Sequence, residues 1–127
     1  MSGLCLGIAM SMIQAVIPSD TVVLTWQHSV EKVGWTERYQ LEGDHIRLTE
    51  ATIKGTGAGM EPPADALFDG TVWRYTPMLP PMKRFVLTRS TFTADYRVCW
   101  SSTCRTLTEI VGPLKQEGET IELFPCP

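Results

Sequence analysis

The sequence has no long run of basic residues, and this absence limits the partners that the protein can bind. Eleven lysines and arginines stand against fourteen acids, which gives a formal charge of −3. Binding to nucleic acid is dominated by clustered lysine and arginine side chains that contact phosphates. We therefore expect no nucleic acid among the partners of this protein.

Charged side chains are also missing from residues 1–19, where Leu4 to Ile17 form an apolar run. The run is shorter than the roughly 20 apolar residues that a membrane-spanning helix needs. Its length is typical of the hydrophobic part of a secretory signal, although no lysine or arginine precedes it. We expect residues 1–19 to be a signal-like or anchor segment, and the protein to be exported to the periplasm, free or membrane-anchored. In the alternative, the run forms an apolar first strand or helix of the domain.

The motifs of common hydrolases and metalloenzymes are absent as well. The chain has two histidines, no G-x-S-x-G elbow, no H-E-x-x-H pair and no calcium loop of the D-x-D-x-D-G type. His28 and Ser29 are adjacent on a predicted strand and therefore point to opposite faces, which keeps His28 from activating Ser29. No catalytic residue, metal or cofactor is expected.

The patterns that are present belong to β-strands. A chain of 127 residues, 43% of them hydrophobic, is long enough to bury a core without metals. Alternation of apolar and polar residues, with turn signals between the runs, predicts about eight short strands. These strands cover residues 21–30, 35–41, 45–53, 71–76, 84–88, 95–100, 105–111 and 120–124. The expected fold is all-β, a single small antiparallel sandwich or barrel over residues 20–127, with one helical turn at Ala64 to Phe68.

Four cysteines divide unequally along the chain. Cys99 and Cys104 enclose four residues between strand-like flanks, so they face each other across a hairpin at a distance that a disulfide can bridge. Cys126 could instead pair with either of these two. Cys5 belongs to the apolar run and is expected to leave with it or to stay in the membrane. One cysteine is then left without an assigned partner.

The stretch from His28 to Tyr39 concentrates histidine, acids, bases and aromatics in twelve positions. Strand alternation places His28 on the apolar face of its strand and Glu37 on the same face as Trp35 and Tyr39. An unpaired buried carboxylate is costly. We therefore expect His28 and Glu37 to lie within reach of each other across a hairpin. In a purely structural alternative, a loop carbonyl satisfies His28, and Glu37 pairs with Lys32 or Arg38.

A glycine-rich segment, Gly55 to Gly59, follows the third predicted strand. It runs into prolines instead of opening a helix, so it does not fit a dinucleotide-binding loop. Its glycines permit close packing against Trp35 or a mobile lid. The candidate binding residues are His28, Glu31, Lys32, Trp35, Glu37, Tyr39, Gly57 and Gly59.

Two motifs together resemble a bacterial family, domain of unknown function 1850. They are the run from Thr25 to Tyr39 (TWQHSVEKVGWTERY) and the run from Gly55 to Met60 (GTGAGM), and the later cysteine spacing fits as well. The resemblance covers the chain after residue 20. It implies a small protein with a signal-like start, often encoded beside fused permeases of tripartite periplasmic (TRAP) transporters. It carries no established activity, so it assigns no catalytic residue.

The expected function is that of a non-enzymatic exported accessory protein. It would bind a small polar solute or a transporter component, such as a TRAP-type permease or its solute-binding protein. The alternative is a small hydrolase or metal-dependent enzyme that uses His28 and Glu37.

Overall fold

The structure is a computed structural model of the chain, and it describes residues 3–8, 12–27, 34–54, 63–92 and 94–127. These residues form eleven strands and one helix. The elements are β1 (Leu4–Gly7), β2 (Ile13–Ile17), β3 (Thr21–Gln27), β4 (Gly34–Glu42), β5 (His45–Lys54), β6 (Leu67–Phe68), β7 (Trp73–Tyr75), β8 (Phe85–Thr88), β9 (Arg97–Trp100), β10 (Thr103–Thr106), α1 (Leu107–Val111) and β11 (Thr120–Pro125).

The strands form two antiparallel sheets, which confirms the all-β prediction and gives it the form of a sandwich. The large sheet has seven strands in the order β10-β9-β3-β4-β5-β7-β6, and the small sheet has four in the order β2-β1-β11-β8. The core lies between them, because one face of each sheet is apolar and removal of that face from water is the main favourable term. Its buried members are Leu4, Leu6, Ile17, Val22, Leu24, Tyr39, Ile46, Leu48, Leu87, Val98, Leu107, Ile121 and Leu123.

The meander β3-β4-β5 is the centre of the large sheet and contains the region that sequence analysis singled out. Val22 and Leu24 are fully buried, as the predicted alternation requires. The predicted turn between β4 and β5 is also present, with Gly43 at φ +64°. Only glycine adopts this left-handed conformation without a steric cost, so the residue type fixes the turn.

A β-bulge interrupts the pairing of β4 with β5. Arg38 pairs with Glu50, whereas its neighbour Tyr39 pairs with Leu48, so Thr49 is the extra residue. The Thr49 hydroxyl donates a hydrogen bond to the Arg38 carbonyl oxygen at 3.2 Å, which satisfies a group that the ladder leaves open. The bulge reverses the alternation of β5, so Ala51 joins Leu48 on the buried face.

The apolar run near the N-terminus, expected from the sequence to be a signal-like or anchor segment, forms two strands of the small sheet. It supplies β1 and β2, and β1 lies between β2 and β11 inside the small sheet. Leu4, Leu6 and Ile17 are core residues. A signal segment and a buried central strand both need an uncharged apolar run, so composition alone does not distinguish them.

The disulfides pair all four cysteines. Cys99 and Cys104 are register partners in the β9-β10 hairpin and form the predicted bridge, with Cα atoms 4.1 Å apart. Cys5 is joined to Cys126 across 121 residues. The expectation that Cys5 leaves with a separate segment, and the alternative that Cys126 pairs with Cys99 or Cys104, are therefore wrong. The second bridge connects β1 to the chain directly after β11, its sheet neighbour.

Two local predictions about helix and strand were wrong. Residues 105–111 were expected to be one strand, but β10 ends at Thr106 and α1 follows. Thr106 is the N-cap of this helix and forms a reciprocal capping box with Glu109, the T-x-x-E signature of a helix start. The helical turn expected at Ala64 to Phe68 is replaced by a turn at Ala64-Asp65 and the short strand β6.

Arg89 is a buried cation that connects β8 to two later segments. Only 4% of its side chain is exposed. Its guanidinium donates hydrogen bonds to Glu119 Oε1 at 3.1 Å, to the Gly112 carbonyl oxygen at 2.9 Å and to the Thr108 hydroxyl at 3.3 Å. Such a pairing offsets the desolvation of the charge only if most of its donors are used. Arg89 therefore holds α1 and the start of β11 against the end of β8.

In the part of the chain that the structure describes, no helix has the length and apolar character needed to cross a membrane.

Candidate functional site

The residues proposed from sequence fall into two groups. Trp35, Glu37 and Tyr39 are described, and all three lie on β4. The remaining candidates lie outside the described residues: His28, Glu31, Lys32, Gly57 and Gly59. The proximity of His28 to Glu37 therefore stays a prediction.

Glu37 lies on the inner face of the large sheet, in the middle of β4. Its register partners are Leu24 on β3 and Ala51 on β5, and both have 0% of their surface exposed. Glu37 itself is half-buried. A carboxylate between two such side chains loses much of its hydration, which penalises its charged form.

Tyr39 is the immediate polar neighbour of Glu37. Its hydroxyl donates a hydrogen bond to Glu37 Oε1 at 2.5 Å, because residues two apart on a strand share a face. Burial raises the pKa of Glu37 above its usual range, and the hydrogen bond from Tyr39 only partly opposes this. Burial also raises the pKa of Tyr39, and the charge of Glu37 raises it further. The phenol therefore stays a donor to the carboxylate.

Two further tyrosines, Tyr75 and Tyr96, lie in the electrostatic field of Glu37. Burial raises the pKa of each phenol, and the negative charge of Glu37 adds to the rise in both. Tyr75 reaches the site because it pairs with Ala51, the register partner of Glu37. Neither tyrosine is among the binding residues predicted from the sequence. Alternation within a short strand gives the face of Tyr75, but only the sheet order places β7 beside β5.

Two tryptophans extend the aromatic surface along the same face. Trp26 and Trp35 are register partners on β3 and β4, and their rings stack with centroids 6.1 Å apart and planes 9° from parallel. The ring of Tyr96 lies against Trp26 at 5.7 Å in a tilted arrangement. Both tryptophans are only half-buried. We call the group of Glu37, Tyr39, Tyr75, Tyr96, Trp26 and Trp35 the Glu37 site.

No lysine, arginine or histidine within the described ranges forms an ion pair with Glu37. Other acids nearby in sequence do have such partners, since Glu42 pairs with Arg47 and Glu50 pairs with Arg74, each at 2.8 Å. Arg38, one of the partners considered from sequence, is exposed and points to the opposite face of β4.

Residues 28–33 leave and rejoin the large sheet, and residues 55–62 leave it, at the same end of that sheet. Gln27 precedes residues 28–33, Gly34 follows them, and Lys54 precedes residues 55–62. These three flanking residues are register neighbours, because Gln27 pairs with Gly34 and Gly34 pairs with Lys54. The Trp26–Trp35 pair lies one residue further into the sheet, so the Glu37 site is close to the points where residues 28–33 and residues 55–62 leave the sheet.

Among the residues that the structure describes, no group of three or more His, Cys, Asp or Glu side chains is placed to hold a metal ion. The expectation that the protein uses no metal or cofactor stays a prediction.

These features define a class of protein: a small disulfide-linked β-sandwich whose large sheet carries a half-buried acid among aromatic side chains. The chain belongs to the family described as Domain of unknown function (DUF1850), whose family model matches residues 22–107. This match confirms the resemblance seen in the sequence. No curated protein and no solved structure matches the chain.

Proposed function

We propose that this protein is a non-enzymatic recognition domain that binds a small polar solute at the Glu37 site. One observation carries the proposal: Glu37 is a half-buried carboxylate flanked by Leu24 and Ala51, and within the described ranges its hydrogen bond comes from a phenol instead of a cation.

A carboxylate on an apolar face destabilises the fold relative to an apolar side chain of similar volume. Acids in such settings, with a raised pKa and a specific neighbour, occur preferentially at functional sites. The half-buried Trp26 and Trp35 beside Glu37 add the apolar surface that small-molecule sites use for contact area.

Recognition is favoured over catalysis for a structural reason. An acid–base or hydrolytic use of Glu37 needs a second reactive group at hydrogen-bonding distance. The groups around Glu37 in the described residues are phenols with raised pKa values, which donate hydrogen bonds but resist giving up a proton near neutral pH. The second group considered from sequence, His28, lies outside the described residues.

The place of action that we propose is the periplasm, with a TRAP-type permease or its solute-binding protein as partner. The two disulfides support export, because such bonds persist in oxidising compartments and are rare in the cytosol. The link to a transporter comes from the gene neighbourhood that the family resemblance implies.

Solute binding is tested by thermal unfolding with a panel of small amines, carboxylates, sugars and neutral alcohols. The matched variants are Glu37→Gln and Glu50→Gln, the latter on the outer face and paired with Arg74. Support is a compound that raises Tm in the wild type and in Glu50→Gln but not in Glu37→Gln. If no compound of any class raises Tm or shifts the indole NMR signals of Trp26 and Trp35, binding at this site is refuted.

The transport role is tested separately by affinity purification of the tagged protein from solubilised membranes and from periplasmic extract. Recovery of a TRAP-type permease or solute-binding protein supports it. A protein found only in the cytoplasm, with its cysteines reduced, would remove both export and transport from the proposal.

A further inference from the structure

We infer that the ligand of the Glu37 site carries a positively charged amine or quaternary ammonium group, which lies against Glu37 and the rings of Trp26, Trp35 and Tyr96. This inference rests on the proposed function and names the chemical class of its solute.

The charge of Glu37 favours a cationic ligand. The oxygens of Glu37 lie between fully buried apolar neighbours, and in the described chain their hydrogen bond comes from the neutral phenol of Tyr39. No cation among the described residues pairs with Glu37, so a neutral solute would remove water from the carboxylate without supplying an opposite charge. A cation instead supplies the opposite charge at the place where hydration is already reduced, so its attraction to Glu37 is stronger than at an exposed acid.

The aromatic rings beside Glu37 favour a cation as well. The faces of tryptophan and tyrosine carry negative electrostatic potential, so a cation over them is attracted, and tryptophan gives the strongest contact. Trp26 stacks on Trp35 and contacts Tyr96, which forms a continuous aromatic surface beside the acid. Trp26, Trp35 and Tyr96 are half-buried residues, and Trp26 and Tyr96 also pack against the core.

Three phenols lie near Glu37: Tyr39 on β4 donates a hydrogen bond to it, and its charge acts on Tyr75 of β7 and on Tyr96, the residue that precedes β9. Their raised pKa values keep them neutral, so they do not compete with Glu37 for a cation. An acid with aromatic walls is the arrangement that recognises quaternary ammonium ions in other proteins.

The test uses choline and its neutral isostere 3,3-dimethylbutan-1-ol, which have the same shape and differ in charge. Binding is followed by the indole NMR signals of Trp26 and Trp35 at constant ionic strength. We expect choline to shift these signals, and the neutral isostere to bind roughly tenfold more weakly, the scale of a partly desolvated cation–π contact. Glu37→Gln is expected to weaken choline binding by about the same factor, and Glu50→Gln to leave it unchanged.

The outcomes separate the inference from the proposed function. If the isostere or an anion shifts the indole signals as strongly as choline, or if Glu37→Gln keeps full choline affinity, the ligand class is wrong while solute binding stands. If nothing in the panel shifts them, the proposed function itself is refuted. Circular dichroism of Glu37→Gln confirms that its loss of binding does not reflect unfolding.

Discussion

The hydroxyl of Tyr39 donates a hydrogen bond to Glu37 Oε1 at 2.5 Å, on the inner face of a sheet. Tyr39 is buried and contacts Phe85 of the small sheet, with ring centroids 4.6 Å apart. One tyrosine therefore connects the packing between the two sheets with the acid of the candidate site. Changes at Tyr39 or Glu37 are expected to alter stability and ligand binding together.

Tyr39→Phe removes the hydrogen bond and keeps the ring. A hydrogen bond to a charged group contributes about 1.5–3 kcal/mol, so we expect a loss of that size in the free energy of unfolding at neutral pH. The loss should be smaller at acid pH, where Glu37 is protonated. Urea denaturation at both pH values measures it. Tyr75→Phe, on β7 two strands away from β4, is the control, and an equal loss in that variant would contradict the assignment.

The pH dependence of stability tests the raised pKa of Glu37. An acid whose pKa is higher in the folded state binds its proton more tightly when folded. Its contribution to stability is therefore largest below the unfolded pKa and falls as pH rises through the folded pKa. The titratable groups that face it in the described residues are the phenols of Tyr39, Tyr75 and Tyr96, which stay neutral over this range.

Glu37→Gln removes the cost of burying a charge, because glutamine is neutral. Its amide oxygen can still accept the hydrogen bond from Tyr39. Its free energy of unfolding relative to the wild type should increase from about pH 4 upward. Glu42→Gln has the opposite sign: its hydrogen bond from Arg47 lowers the pKa of Glu42, so that substitution costs more as pH rises. A flat difference between wild type and Glu37→Gln across this range would show that the pKa of Glu37 is ordinary.

The two disulfides should differ in their contribution to stability. In the chain-entropy account, a bridge over 121 residues stabilises by about 5 kcal/mol and one over 5 residues by about 2 kcal/mol. The double variant Cys5→Ala/Cys126→Ala should therefore unfold at a lower urea concentration than Cys99→Ala/Cys104→Ala. An equal cost of the two would indicate that the N-terminal strands are not held by the long bridge.

Arg89→Ala should be one of the most damaging single substitutions. Removing one partner of a buried ion pair leaves the other uncompensated and costs about 3–5 kcal/mol. Glu119 keeps partial access to water, so we expect about 3 kcal/mol by urea denaturation. Arg47→Ala breaks an exposed pair with Glu42, and its expected cost is under about 1 kcal/mol. Similar costs for both variants would contradict the structural role of Arg89.

Local sequence patterns predict most strands of the large sheet, because hydrophobic alternation and turn preferences depend on residues that are close together in the chain. Val22 and Leu24 alternate with polar neighbours, and Gly43 specifies its turn. The sequence of β5 does contain an indication of the bulge. Two polar residues, Thr49 and Glu50, are adjacent and so interrupt the alternation of apolar and polar residues. Strict alternation would have placed Ala51 on the wrong face.

The candidate site was predictable only in part. Trp35, Glu37 and Tyr39 share a face by simple alternation, which correctly placed an acid among aromatics. Tyr75 and Tyr96 were missed, because each comes from a strand or loop distant in sequence. Their approach to Glu37 depends on the order of strands in the sheet, which local patterns do not encode.

The sequence by itself determined the all-β class, the Cys99–Cys104 hairpin and the inward orientation of Glu37, since each depends on residues close together in the chain. It also determined the family, which is recognised from motifs along the chain. Only the tertiary structure decided that the N-terminal apolar run forms an inner strand and an edge strand of the small sheet and that Cys5 meets Cys126. It also decided which rings surround Glu37. The physical reason is the same in these three cases. The residue type predicts that a side chain will be buried, but contacts across the whole domain determine which residues it packs against.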